Sequence, residues 1–120
     1  MAAFLTRLSV DLISEGDNLW ILDKDLDFLS DLVGPVKVLK NFITDFASVP
    51  RIPFVYLATG DIAREAAVVH DWLYSQAEHP REICDKVFLE AMEVTGIPNW
   101  KRKAMYWAVR MFAGKHYENR

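Results

Sequence analysis

The sequence predicts an α+β domain: a small N-terminal antiparallel sheet of three to four strands, an ordered proline-bearing loop and three C-terminal helices. Three observations carry this expectation. Apolar and polar residues alternate in stretches of residues 4–39, such as Leu8, Val10 and Leu12, with turn residues at short intervals. From Gly60 onward the apolar spacing changes to three and four. Pro50 and Pro53 stand between the two regimes, where a helix interior is excluded. A chain of 120 residues, 52% hydrophobic and 26% charged, suits one domain over 1–120 that buries its own core.

In the β-rich part, residues 1–40, Leu8, Val10 and Leu12 alternate with polar neighbours as one face of a half-buried strand. Glu15-Gly16-Asp17-Asn18 is a turn signal, and NLWILD returns as the next strand. LDFLSDLV alternates again, less cleanly, and Gly34-Pro35 interrupts it before VKVL. No intervening segment is long enough for a crossover helix, so the strands are antiparallel. In the loop, residues 41–58, each proline biases the preceding residue to extended backbone, and the segment is expected to cross the sheet edge.

In the helical part, residues 59–120, DIAREAAVVHDWLYSQ forms the first helix, with Asp61 placed near its positive end. Pro80 fits the first position of a second helix, REICDKVFLEAMEVT, which Gly96 and Pro98 close. Asn99 is positioned to cap a third helix, WKRKAMYWAVRMF, which stops at Gly114. A connection of about four residues around His79 makes the first two helices antiparallel neighbours.

Composition narrows the function classes. The lone Cys84 rules out an internal disulfide and a cysteine-rich zinc site, and suits a reducing compartment. No basic segment followed by an apolar one opens the chain, and no apolar run reaches the length of a membrane span. The net charge of −3 is mild, so nucleic acid is not the expected partner. The charge is nevertheless uneven. The first 31 residues hold Asp11, Glu15, Asp17, Asp23, Asp25, Asp27 and Asp31 against Arg7 and Lys24. The last 20 hold Lys101, Arg102, Lys103, Arg110, Lys115 and Arg120 against Glu118. Such asymmetry marks either an anionic partner at the basic end or a solvated surface of mixed charge.

Candidate functional residues are the polar ones that break the core pattern. On the second helix Ile83, Val87, Ala91 and Val94 form the expected buried stripe and Glu82, Lys86, Glu90 and Glu93 the wet one. Asp85 belongs to neither and sits on an apolar flank with Phe88, Leu89 and Met92, where a carboxylate requires a partner. The helical hairpin brings Asp85 toward His70, which lies one turn from Tyr74. Arg64, two turns from Asp71, is positioned to hold that carboxylate ionised. Asp85 on one imidazole nitrogen leaves the other for a proton or a metal. His70 then serves as general base with Asp85 orienting it. Alternatively His70, Asp71 and Asp85, joined by Asp45, hold a divalent ion such as zinc, manganese, magnesium or calcium. A third arrangement makes Ser48 a nucleophile with His70 as base, although no G-x-S-x-G elbow surrounds it. Against all three stands a hydrogen-bonded core histidine, with Trp72, Trp100, Tyr106 and Trp107 as core aromatics and Cys84 as an inert buried thiol. Asp45, Asp71 and Asp85 outnumber His70 and Arg64, the cations the sequence places near them, which favours an active site over a structural cluster.

TDFASVPR (44–51), REAAVVHDWLY (64–74), DKVF (85–88) and MYWAVRMF (105–112) together resemble an uncharacterised family found mainly in tailed bacteriophages and prophages. The resemblance covers residues 34–113. It implies a phage origin and a small intact domain rather than a reaction. Asn41 stands where that family carries a glycine, and it too tolerates left-handed backbone. HDWLY also resembles the HDxCY segment of secreted phospholipases A2, in which the histidine is the base, the next aspartate binds calcium and an aspartate on an antiparallel helix orients the histidine. His70, Asp71 and Asp85 match those roles by analogy. The glycine-rich calcium loop is absent and Leu73 replaces the cysteine.

These readings give three expected functions. The leading one is a phage-encoded His/Asp hydrolase, with or without a divalent metal, acting on a host envelope or cell component. The second is a non-catalytic virion component (tail, baseplate or connector) associated with other virion proteins. The third is a small inhibitor of a host protein that uses the basic third helix. The expected location is the host bacterial cytoplasm, with or without incorporation in the virion.

Overall fold

The computed structural model describes residues 1–16, 19–44 and 64–112. Among them, six short strands precede three helices: β1 (Ala3–Phe4), β2 (Val10–Ser14), β3 (Leu19–Leu22), β4 (Leu26–Ser30), β5 (Gly34–Val38), β6 (Ile43–Thr44), α1 (Arg64–Gln76), α2 (Arg81–Val94) and α3 (Asn99–Phe112). The α+β class holds. The strands divide into two antiparallel three-stranded sheets, ordered β1-β4-β5 and β2-β3-β6, in place of one small sheet.

The sheets differ in how they meet the core. In β4, Leu26, Phe28 and Ser30 are buried and alternate with half-buried residues, a clean period of two. Val36 and Val38 of β5 continue that face, and Phe4 stacks on Phe28 at 4.5 Å between ring centroids. α1 packs on β5, and α2 on β1 and β4. The β4–β5 turn is made by Asp31, Leu32 and Val33, not by Gly34-Pro35, which begin β5 itself. Pro35 is tolerated because β5 is an edge strand. Glu90 of α2 ties this turn down: Ser30 Oγ donates to it at 2.6 Å and the Asp31 N–H at 2.9 Å.

β2 and β3 pair across the expected turn region, with a register shift between Leu12 and Ser14. Leu12, expected on a buried face, is 46% exposed, because β2 is the outer strand of its sheet. The expected loop begins as structure: Asn41 takes φ 76°, its N–H donates to the Leu22 carbonyl, and β6 then pairs with β3. The rest of that loop, and the start of the first helix at Asp61, lie outside the described residues.

The helical hairpin forms as expected, with Ala77 to Pro80 connecting α1 and α2. Pro80 caps α2 from just outside it (φ −57°, ψ 149°). Gly96, at φ 84°, ends α2 in a Schellman arrangement: Ile97 N–H bonds to the Met92 carbonyl and Gly96 N–H to the Glu93 carbonyl. Asn99 is the first residue of α3 rather than its cap, and its side-chain oxygen accepts from Arg102. The buried stripe of α2 is rotated from the expected one, with Cys84, Asp85, Val87, Phe88, Ala91 and Met92 inside and Val94 exposed.

Candidate functional site

His70 and Tyr74 lie one turn apart on α1, so their side chains reach the same stretch of α2, where Asp85 stands in the second turn. His70 Nε2 is 2.6 Å from Asp85 Oδ1, and the Tyr74 hydroxyl donates to the same oxygen at 2.5 Å. From α3, Arg110 Nη1 donates to Asp85 Oδ2 at 2.9 Å. Arg81, one turn before Asp85, places its Nε 3.7 Å from the same Oδ2. The Arg81 fork also donates to the carbonyls of Val109 and Arg110, in the last turn of α3. One carboxylate thus joins three helices.

The electrostatics follow from this geometry. Burial alone would push the Asp85 carboxyl upward. Hydrogen bonds from His70, Tyr74 and Arg110, with the charge on His70, outweigh it and hold Asp85 below the usual carboxylate range. An ionised carboxylate only accepts, so His70 Nε2 carries the proton in their hydrogen bond. Burial and the neighbouring carboxylate push the Tyr74 phenol far up. The hydrogen bond to Asp85 pushes the Arg110 guanidinium up. His70 and Asp85 are both 0% exposed. His70 is also flanked by the rings of Tyr74 and Phe88, with centroids 4.1 and 4.9 Å away.

The neighbouring Asp71 takes a different partner. Thr44, buried at the end of β6, donates its hydroxyl to Asp71 Oδ2. Phe42 meets Trp72 edge-on at 5.2 Å, and the Arg64 guanidinium lies 5.1 Å over the Trp20 ring. The strand that follows Asn41 is therefore tied to α1, and Thr44 lies beside the His-Asp segment. Asp45 and Ser48 lie outside the described residues.

Of the candidate residues, His70 and Asp85 are joined directly. Among the described residues, no group of three or more His, Cys, Asp or Glu side chains converges as metal ligands. The expected excess of carboxylates does not arise at Asp85, where Arg81 and Arg110 both reach it. Sequence reasoning missed these two arginines and the donation from Tyr74. Arg81 had a readable signal, its i,i+4 spacing from Asp85. Arg110, 25 residues away, had none. A surface groove of about 220 Å³ between β5 and α1 is lined by Pro35, Lys37, Trp72, Gln76 and His79 among others, and by neither His70 nor Asp85.

A family model described as "Protein of unknown function (DUF1353)" matches residues 20–109. The chain belongs to this family. The match takes in Thr44, His70, Asp71, Tyr74, Arg81 and Asp85 and ends one residue before Arg110. The DUF1353 chain is also 35% identical over 48 residues to y4jT, an uncharacterized protein of Sinorhizobium fredii (strain NBRC 101917 / NGR234). That alignment covers 40% of this chain and only 14% of the relative. No solved structure matches. No helix among the described residues is long and apolar enough to cross a membrane.

Proposed function

We propose that this DUF1353 chain is a phage-encoded, non-catalytic virion component, in which the His70–Asp85 network is a structural lock rather than an active site. The observation that carries the reading is the complete burial of both residues together with the four groups gathered around the Asp85 carboxylate. A general base must reach the proton it removes, and a metal-binding carboxylate must spare an oxygen. Here the carboxylate is spent on tying α1, α2 and α3 together. The resemblance of TDFASVPR and HDWLY to motifs of tailed-phage proteins supports the phage origin, with assembly in the host cytoplasm and residence in the particle.

One observation favours a second reading, a hydrolytic site. The 2.6 Å contact between His70 Nε2 and Asp85 Oδ1 is the arrangement that orients a catalytic imidazole, and Thr44–Asp71 lies on the adjacent residue of the same helix. Quantitative mass spectrometry of purified particles separates the two. The structural reading predicts the chain at a fixed number of copies per particle. Absence from particles, together with loss of host-envelope degradation in His70→Gln, would establish the hydrolase instead.

A further inference from the structure

The outer side of α3 carries a face that the core does not use. Trp100, Lys103, Trp107 and Met111 recur at spacings of three and four, one side of the helix. Trp100 is 54% exposed, Trp107 61% and Met111 71%, and Lys103 lies between them, also exposed. The opposite side of the same helix supplies Met105, Ala108 and Val109 to the interior. Two exposed tryptophans on one helical face, rimmed by basic charge, form a contact surface rather than scattered exposure.

A second surface has the complementary character. β2 is the outer strand of the β2-β3-β6 sheet, and it carries Leu12 and Ile13 at 46% and 49% exposure between the exposed acids Asp11 and Glu15. Asp11 also lies against Asp23, whose hydrogen bond and like charge push its carboxyl pKa up. Among the described residues, neither Asp11 nor Lys103 has an ion-pair partner.

We infer that the outer face of α3 docks onto the β2 edge of a second copy of this chain, head to tail. Trp100, Trp107 and Met111 cover Leu12 and Ile13, while Lys103 meets the acids beside them. The occupant is a second copy because each molecule carries both halves of the match, opposite in charge and each with exposed apolar side chains. The two patches differ, so the contact is heterologous: repeated, it closes a ring or extends a chain instead of stopping at a two-fold dimer. The contact uses no residue of the buried network, so it stands or falls apart from the structural reading above.

Sedimentation velocity of the full chain at low ionic strength tests this. The average mass should climb above 13.8 kDa with concentration and fall back as salt is added. Lys103→Glu and Asp11→Lys should each weaken association about tenfold, leaving the circular dichroism spectrum unchanged. An equimolar mixture of the two variants should recover it, since each reversed patch then finds an opposite charge on the other variant. A monomer at every concentration would overturn the inference. So would a dimer that saturates at two chains and ignores Asp11→Lys, or binding of the wild-type chain to phosphatidylglycerol vesicles without self-association.

Discussion

Asp85 is charged in a place where charge is costly, and the reason lies in what surrounds it. Burial works against the carboxylate, but donors from His70, Tyr74 and Arg110 and the nearby Arg81 reverse the balance. A folded pKa below the unfolded one has a definite consequence for stability. The contribution is present above the unfolded value, about 3.9 for an aspartate, and is lost as pH falls through the lower folded value. Unfolding free energies of wild type and Asp85→Asn, measured against pH, should therefore differ by a constant amount above about pH 5 and converge in acid. A difference that widens on acidification would mean that the folded chain holds Asp85 protonated. Sequence reading found Asp85 as a residue out of place, because a carboxylate among Phe88, Leu89 and Met92 is conspicuous. It predicted the His70 contact from the hairpin. It did not predict the neutralising arginines, since Arg110 reaches the site only through the packing of α3 on α2.

The elements owe their boundaries to local chemistry, and α2 is the clearest case. Its last carbonyls are satisfied because Gly96 turns to φ 84° and lets Ile97 bond back to Met92. A Cβ at Gly96 would meet nothing within 4 Å, so the penalty of Gly96→Ala is that of left-handed backbone alone, about 1 kcal/mol. Gly16→Ala, equally uncrowded and without a left-handed φ, should be neutral or slightly stabilising. Thermal melts of the two variants distinguish the cases, and equal losses would show that the Gly96 conformation is not what ends α2. Such signals explain why the α1–α2 hairpin and the alternation of β4 were legible in sequence. The rotated stripe of α2 was not, because Asp85 was assigned to a flank when its partners make it a core residue. Trp100 and Trp107 were misplaced for a related reason. Aromatic content suggests the interior, but Met105 and Val109 already fill that side of α3.

For the whole molecule, the network links the three helices to one another. α1 contributes His70 and Tyr74, α2 contributes Asp85 and Arg81, and α3 contributes Arg110 together with the carbonyls that Arg81 caps. Phe88 and Met92, beside Asp85 on α2, are completely buried in the core shared with the sheet. The fold class was readable because it depends on periodicity. The balance of charges inside the helical layer was not, because it depends on which distant residues meet. Denaturant unfolding of wild type, Asp85→Asn and His70→Gln tests the structural role most directly. If the cluster is a lock, each substitution leaves buried charge or a buried donor uncompensated. Both variants should then lose about 3–5 kcal/mol, the usual cost of breaking a buried pair. Losses near zero, or a gain in Asp85→Asn, would contradict the lock and mark the site as one held under strain for function.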